Sequence, residues 1–181
     1  YGDANPTSGG FAISGSGLVN SDALASSLNV SSTATLASNV GSYDLTPGSA
    51  VFTASVSSDY AITYVDGSLA ITARPITVTA DNRNRVYGDA NPVDGSFSIT
   101  SGSLVNSDAL NALVSLTSPA TSTSHVGSYS LVPSGATFAN GAASNYAITY
   151  ADGSLAVAAR PIALTANNQN RVYGDANPTS G

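Results

Sequence analysis

The hexapeptide Tyr-Gly-Asp-Ala-Asn-Pro begins at Tyr1, Tyr87 and Tyr173, a constant spacing of 86 residues. A fixed internal period constrains a fold more than any local motif does, because each period must correspond to one structural unit and the units must be alike. The 181 residues are therefore read as two copies of a unit and the opening of a third, an excerpt of a longer array. Laid over each other without a gap, the copies agree at more than half of their positions. Leu18 to Leu24 equals Leu104 to Leu110, Ala61 to Tyr64 equals Ala147 to Tyr150, and Ser68 to Ala70 equals Ser154 to Ala156. The loosest stretches are Ala25 to Leu36 against Asn111 to Ser122 and Thr53 to Ser57 against Ala139 to Ala143.

Composition narrows what such a unit can be. All eleven acidic residues are Asp and all five basic ones are Arg, while Lys, Glu, Cys, Met and Trp are absent. Losing Glu, Lys and Met removes good helix formers. Ser, Thr, Gly, Asn, Val and Ala remain, a vocabulary of turns and strands. A hydrophobic share of 42% favours a folded chain over a charge-driven disordered one. A net charge of −6 without a cluster of bases argues against nucleic acid as a partner. No apolar run is long enough to span a bilayer.

Strand signals are dense. Ile76, Val78 and Ala80 alternate with Thr77 and Thr79 after Pro75. Tyr60, Ile62 and Tyr64 share one face of a second run, and Ser68 to Ala73 resumes after Asp66-Gly67. An Asp-Gly pair between two such runs predicts a tight hairpin, with Gly taking the positive φ. Gly41 to Leu45 and Phe11 to Ile13 add two more strands, and Asn20 to Ala25 reads as a loop with one helical turn capped by Ser21 or Asp22. Short strands punctuated by turns predict an all-β fold of tandem β-sandwich-like domains. Pro fixes φ and restrains the residue before it, so Arg74-Pro75 and Arg160-Pro161 are read as short, stiff joints. The expected domains are 1–74, a unit lacking its first strand, 75–160, a complete unit, and 161–181, the start of the next. Stiff joints make the array an elongated rod. An unpaired edge is a template for strand pairing, so chains cut this way are expected to join head to tail.

Little in the chain points to chemistry. His125 is the single His, Asn39 stands in its place in the other copy, and no nucleophile has a base beside it twice over. No catalytic, cofactor-binding or metal-binding residue is therefore expected, and no cofactor. Asp3, Asp22 and Asp66 recur as Asp89, Asp108 and Asp152, with Asp175 opening a third set. Ca²⁺ takes such oxygens, but the spacing of a Ca²⁺ loop is missing, and Asp that caps its own turn is the favoured reading. Every Tyr and Phe has its partner one period away, as with Tyr1 and Tyr87 or Phe11 and Phe97. Such rings are expected to build the core and the contact between units, with a repeated weak sugar contact as the alternative. Arg74 and Arg160 before the joint, with Asp nearby, are expected to tie neighbours together.

The run Ala73 to Pro92, with Gly17 to Leu24, Val40 to Tyr43 and Asn145 to Tyr150, resembles the MBG repeat domain. That domain occurs in tandem in large bacterial surface adhesins, including filamentous-haemagglutinin-like exoproteins. The resemblance covers both copies and departs at Ser103, where the first copy has Gly17. It implies non-enzymatic stalk or spacer repeats of a secreted or cell-surface adhesin linked to cell adhesion and biofilm formation. The partners it implies are neighbouring repeats of the same chain. The second class of partner is extracellular polysaccharide or an adhesin on another cell.

Overall fold

The computed structural model describes residues 1–54, 57–92 and 94–178. Among them, regular structure consists of strands and two 3₁₀ turns, Ser57–Asp59 and Ala143–Asn145. The first copy carries β1 (Ser8–Gly9), β2 (Leu28–Ser31), β3 (Gly41–Pro47) and β4 (Gly67–Ile71). There follow β5 (Arg74–Ala80), β6 (Arg83–Val86), β7 (Phe97–Ser101), β8 (Ala109–Leu110) and β9 (Ser115–Thr117). The last are β10 (Gly127–Ser134), β11 (Phe138–Asn140), β12 (Tyr146–Ala151) and β13 (Gly153–Ala158). The sheets run β1-β2-β3-β4, β6-β13-β10-β9 and β12-β5-β7, with a small ribbon β11-β8. The fold is all-β and tandem, as the composition and the period require.

The span from β5 to β13 shows the full layout. Period-two alternation sends Ile76, Val78 and Ala80 inward, at 2%, 0% and 3% exposure. β5 is the central strand of its sheet, parallel to β12 with Ile148 opposite Ile76, and antiparallel to β7. Beyond Asp81 and Asn82 the chain changes sheet and continues as β6, parallel to β13. β10 pairs with β13 and β9 and lies against β5 and β12, joining the two layers. It buries Leu131, while β13 buries Leu155 and Val157. Each such aliphatic side chain taken from water contributes about 1.5–3 kcal/mol.

Three local expectations need correction. Neither Asp66-Gly67, which no strand directly precedes, nor Asp152-Gly153 turns a hairpin. β12 and β13 belong to different sheets, so the pair marks a change of sheet. Gly153 is not among the residues of positive φ. It is Gly because a Cβ there would sit 2.4 Å from the Ala80 carbonyl oxygen, where the two sheet-changing corners pass each other. The Ser154 amide donates to Asn82 Oδ1 at 2.8 Å and pins the same corner. Second, the stretch from Asn20 holds no helical turn. Asn20 and Ser21, like Asn106 and Ser107, take left-handed φ between 54° and 61°, and the Asp22 amide closes a tight turn on the Val19 carbonyl. Asn tolerates that region better than most residues.

The third correction concerns the first copy. Phe11 to Ile13 and Tyr60 to Tyr64 form no strands there, although their counterparts are β7 and β12. In the second copy both of those strands lean on β5, and residues 1–73 contain no counterpart of β5. By contrast β3 and β4 pair in the same register as β10 and β13, with Tyr43 opposite Leu69 as Tyr129 is opposite Leu155. The expected strand at the start of 161–181 is likewise unformed. Ile162 and Leu164 are 80% and 92% exposed, with no sheet to join.

Candidate functional site: the joint between the copies

Four of the six residues of the recurring hexapeptide have a visible job in the structure. The Tyr87 amide donates to the Ala158 carbonyl at 2.9 Å, and the Tyr1 amino group donates to the Thr72 carbonyl at the same distance. Gly2 and Gly88 take φ of 81° and 92°, the left-handed region that side chains resist. Asp3 and Asp89 form ion pairs with Arg74 and Arg160. Those Arg residues also donate Nε–H to the carbonyls of Tyr1 and Tyr87, each at 2.7 Å. Asn5 and Asn91 donate to the carbonyls of Ala34 and Ala120, the one Ala in each copy's connecting loop that is buried.

The first-copy hexapeptide lies on the second copy. The Tyr1 ring meets Tyr146 edge-on with centroids 5.6 Å apart. Its hydroxyl donates to Asp108 Oδ2 at 3.1 Å, and the same oxygen accepts from the Tyr146 hydroxyl at 2.9 Å. Tyr146 in turn accepts from the Val105 amide at 3.0 Å. Burial pushes the Tyr146 phenol up, and Asp108 adds to that against the lowering effect of the Val105 backbone. Gly2 packs so closely on Val105 that a Cβ would lie 2.5 Å from Cγ2. Around these contacts, Asn145 accepts from the Val40 amide and donates to Asn39 Oδ1, each at 2.9 Å. Asn106 donates to the Leu36 carbonyl at 3.0 Å. Asn145 is 1% exposed, and a buried amide so fully used fixes orientation as well as affinity.

Arg74 straddles this joint. Its main chain begins β5 opposite Tyr146, while its side chain holds Tyr1 and Asp3. The expectation that Tyr rings build core and contact is met by Tyr1, Tyr146 and the stacked Phe138–Tyr146 pair, centroids 5.1 Å apart. The Asp candidates divide. Asp22 accepts from Tyr60 and pushes that phenol up, as Asp108 does for Tyr146. Asp3 and Asp89 go to Arg, and the Asp175 carbonyl accepts from Arg171 at 3.0 Å. Asp152 sits at the sheet-changing corner between β12 and β13, and Asp66 immediately precedes β4. Among the described residues no three His or Asp side chains converge as metal ligands would. His125 is exposed at the far end of the second copy, bordering a shallow hollow with Tyr87, Val126, Arg160 and Ile162.

Arg85, which with Arg171 precedes Val-Tyr-Gly-Asp, belongs by sequence with the Arg residues expected to tie neighbours together, but it closes its own copy. It is 7% exposed and donates Nε–H to Asn91 Oδ1 at 2.8 Å, with a second group bonded to the Thr121 carbonyl. The available signal was a recurring Arg within a strand-like run of a chain that spends few charges, since Arg85 recurs as Arg171.

Fold and joint together define a tandem array of all-β repeat domains. The family model of the MBG domain (YGX type) matches residues 1–70 and again 76–156, and the chain belongs to that family. No curated protein and no solved structure matches it.

Proposed function

We propose that the chain is part of the stalk of a secreted, surface-associated bacterial adhesin. Its repeats act as spacers that project an adhesive region for cell adhesion or biofilm formation. The observation that carries this reading is the joint. The side chains that recur every 86 residues, Tyr1, Asp3, Asn5 and Arg74, are engaged in closing one copy and seating it on the next. Their conserved spacing is that of a length-setting device, and the MBG family is a repeat family of extracellular surface proteins rather than an enzymatic one. We place the units at 1–74, 75–160 and 161–181, supported by the pairing of β5 with β12 and of β6 with β13. Joints of this kind make the array a rod. No helix among the described residues is long and apolar enough to cross a membrane.

Small-angle scattering tests the reading. Chains with successive added repeats should lengthen by a constant increment. Arg74→Ala should broaden the distribution of end-to-end distances without unfolding either copy, because its ion pair is partly exposed and contributes only about 0–1 kcal/mol to folding. An unchanged distribution in that variant would remove the joint from the argument.

A second reading is favoured by Tyr64 and Tyr150. Each is over a third exposed at the same place in its copy, with its hydroxyl accepting from the amide of Ala50 or Ala136 at 2.8 Å. Such rings offer one weak polysaccharide contact per repeat, multiplied by avidity. Glycan-array binding by the full chain that disappears in the Tyr64→Ala/Tyr150→Ala double variant would establish it and overturn the pure spacer.

A further inference from the structure

The joint between the copies is built on a frame that does not vary. On the first copy Tyr1, Gly2 and Val40 meet the second, and they recur unchanged as Tyr87, Gly88 and Val126. On the second copy Val105, Asn106, Asp108 and Tyr146 receive them, and these stand where the first copy has Val19, Asn20, Asp22 and Tyr60. Leu36 takes part through its carbonyl, a main-chain group that any residue supplies. Two side chains of the joint differ between the copies. Asn39 is replaced by His125, and Asn145 stands where the first copy has Asp59. Those two are each other's partners, with Asn145 Nδ2 donating to Asn39 Oδ1 at 2.9 Å.

We propose that positions 39 and 145 are the specificity-determining pair of the joint, so that one contact decides which repeat seats on which while the rest of the interface is common to all. The main chain offers both positions in the same way in the two copies. The Asn39 carbonyl accepts from the Tyr43 hydroxyl and the His125 carbonyl from the Tyr129 hydroxyl, each at 2.9 Å. Asn145 closes the 3₁₀ turn Ala143–Asn145, as Asp59 closes Ser57–Asp59. The scaffold is held constant and the side chain on it is changed. This inference rests on the joint itself and stands whether the array serves as a spacer or as a sugar-binding surface.

Donor and acceptor logic gives the pair its selectivity. The Val40 amide can only donate, so the Asn145 atom that faces it is Oδ1. The Nδ2–H group is thereby turned to the first copy and needs an acceptor, which Asn39 Oδ1 supplies. Asn145 is 1% exposed, so water does not replace a missing acceptor there. Asp in the place of Asn145 would bring a full charge into a site closed to water, opposite a neutral amide that does not balance it. A receiving face that carries Asp asks instead for a partner that donates and can bear positive charge, as an imidazole does. Such selection works by penalising the wrong neighbour, since the favourable contacts of the frame are shared by every pairing. A single buried Asn sets register in coiled coils by the same physics. Repeats this alike would otherwise seat out of order or on a neighbouring molecule, a common failure of repeat proteins.

Distances between two spin labels, one on each copy, test this on the 181-residue chain, which has no Cys of its own to compete for labelling. The parent chain should give one narrow distance. Asn145→Asp should shift the joint toward an open, broad distribution by at least about tenfold. Asn39→His/Asn145→Asp should restore most of the narrow population. Asp59 closes the same turn in the first copy, so the Asp substitution spares the fold of the copy that carries it. Asn39→Ala gives a second handle, because Asn39 is exposed and its loss leaves folding intact while stranding the buried Asn145 N–H. It should open the joint by about fivefold to tenfold. A joint as tight as the parent's in both Asn145→Asp and Asn39→Ala, or a double variant no tighter than Asn145→Asp alone, would overturn the proposal. A parent chain without a narrow distance would overturn the joint itself, and the stalk reading with it.

Discussion

Leu155→Ala is expected to destabilise the second copy by about 2–5 kcal/mol, while Leu69→Ala costs the first copy about 1–2 kcal/mol. The two residues occupy the same place in the repeat, inside the identical tripeptide Ser-Leu-Ala. They face the same strand neighbours, Tyr129 on β10 and Tyr43 on β3. What differs is the cover. Leu155 is fully buried, with β6 alongside β13. Leu69 is half-buried, because β4 has an open edge. Removing three methyl and methine carbons from Leu155 leaves a cavity in packed surroundings. The same removal from Leu69 returns part of the site to water it already meets. Urea unfolding followed by probes specific to each copy would measure both costs. Equal costs would show that the first copy closes its core some other way.

Arg85→Ala is expected to cost the second copy about 1–3 kcal/mol, because it removes a buried side chain whose charged hydrogen bonds to Asn91 Oδ1 and the Thr121 carbonyl close the copy. Arg85→Lys should recover less than half of that. An ammonium is a compact charge and cannot present the planar fork that reaches both acceptors at once. Arg171→Ala, the same change one period on, should leave the thermal unfolding of the single molecule unaltered, since Arg171 is exposed. Differential scanning calorimetry of the three variants would compare them directly. A stable Arg85→Ala protein would mean that water replaces the guanidinium without loss.

What could be read beforehand was what depends on neighbours in sequence or on the period. The alternation of Ile76, Val78 and Ala80 named an inward face, and the recurrence of every Tyr and Phe pointed to core and contact. The first holds, and the second holds for Tyr1, Phe138 and Tyr146, whereas Phe11, Tyr64, Tyr87 and Tyr150 are exposed. What failed was inference from local signals about pairing. Asp152-Gly153 carries the composition of a hairpin turn, yet the flanking strands belong to different layers, because β12 prefers the distant β5. The reason for Gly153 is the approach of Ala80, more than seventy residues earlier, which no local window contains. Ser21 and Asp22 looked like a helix cap because Ser and Asp favour that place, but Asn20 and Ser21 make a left-handed turn instead. A contact between units was anticipated for the aromatic rings and for Arg74, but the partners on its receiving side were not. Asp108 stood out only as the recurrence of Asp22, Asn145 stands where the first copy has Asp59, and only the fold brings them to Tyr1 and Asn39.

The parallel pairing of β5 with β12 and of β6 with β13 has a consequence for a chain under tension. A pull along the array enters a repeat at the start of β5 and leaves it at the end of β13. Those two arms lie side by side and run the same way, so the load slides one along the other. Their interstrand hydrogen bonds are then strained together in shear, rather than opened one after another as in a peeled hairpin. The span from β5 to β13 is thereby a clamp whose yielding requires a whole row of bonds to fail at once.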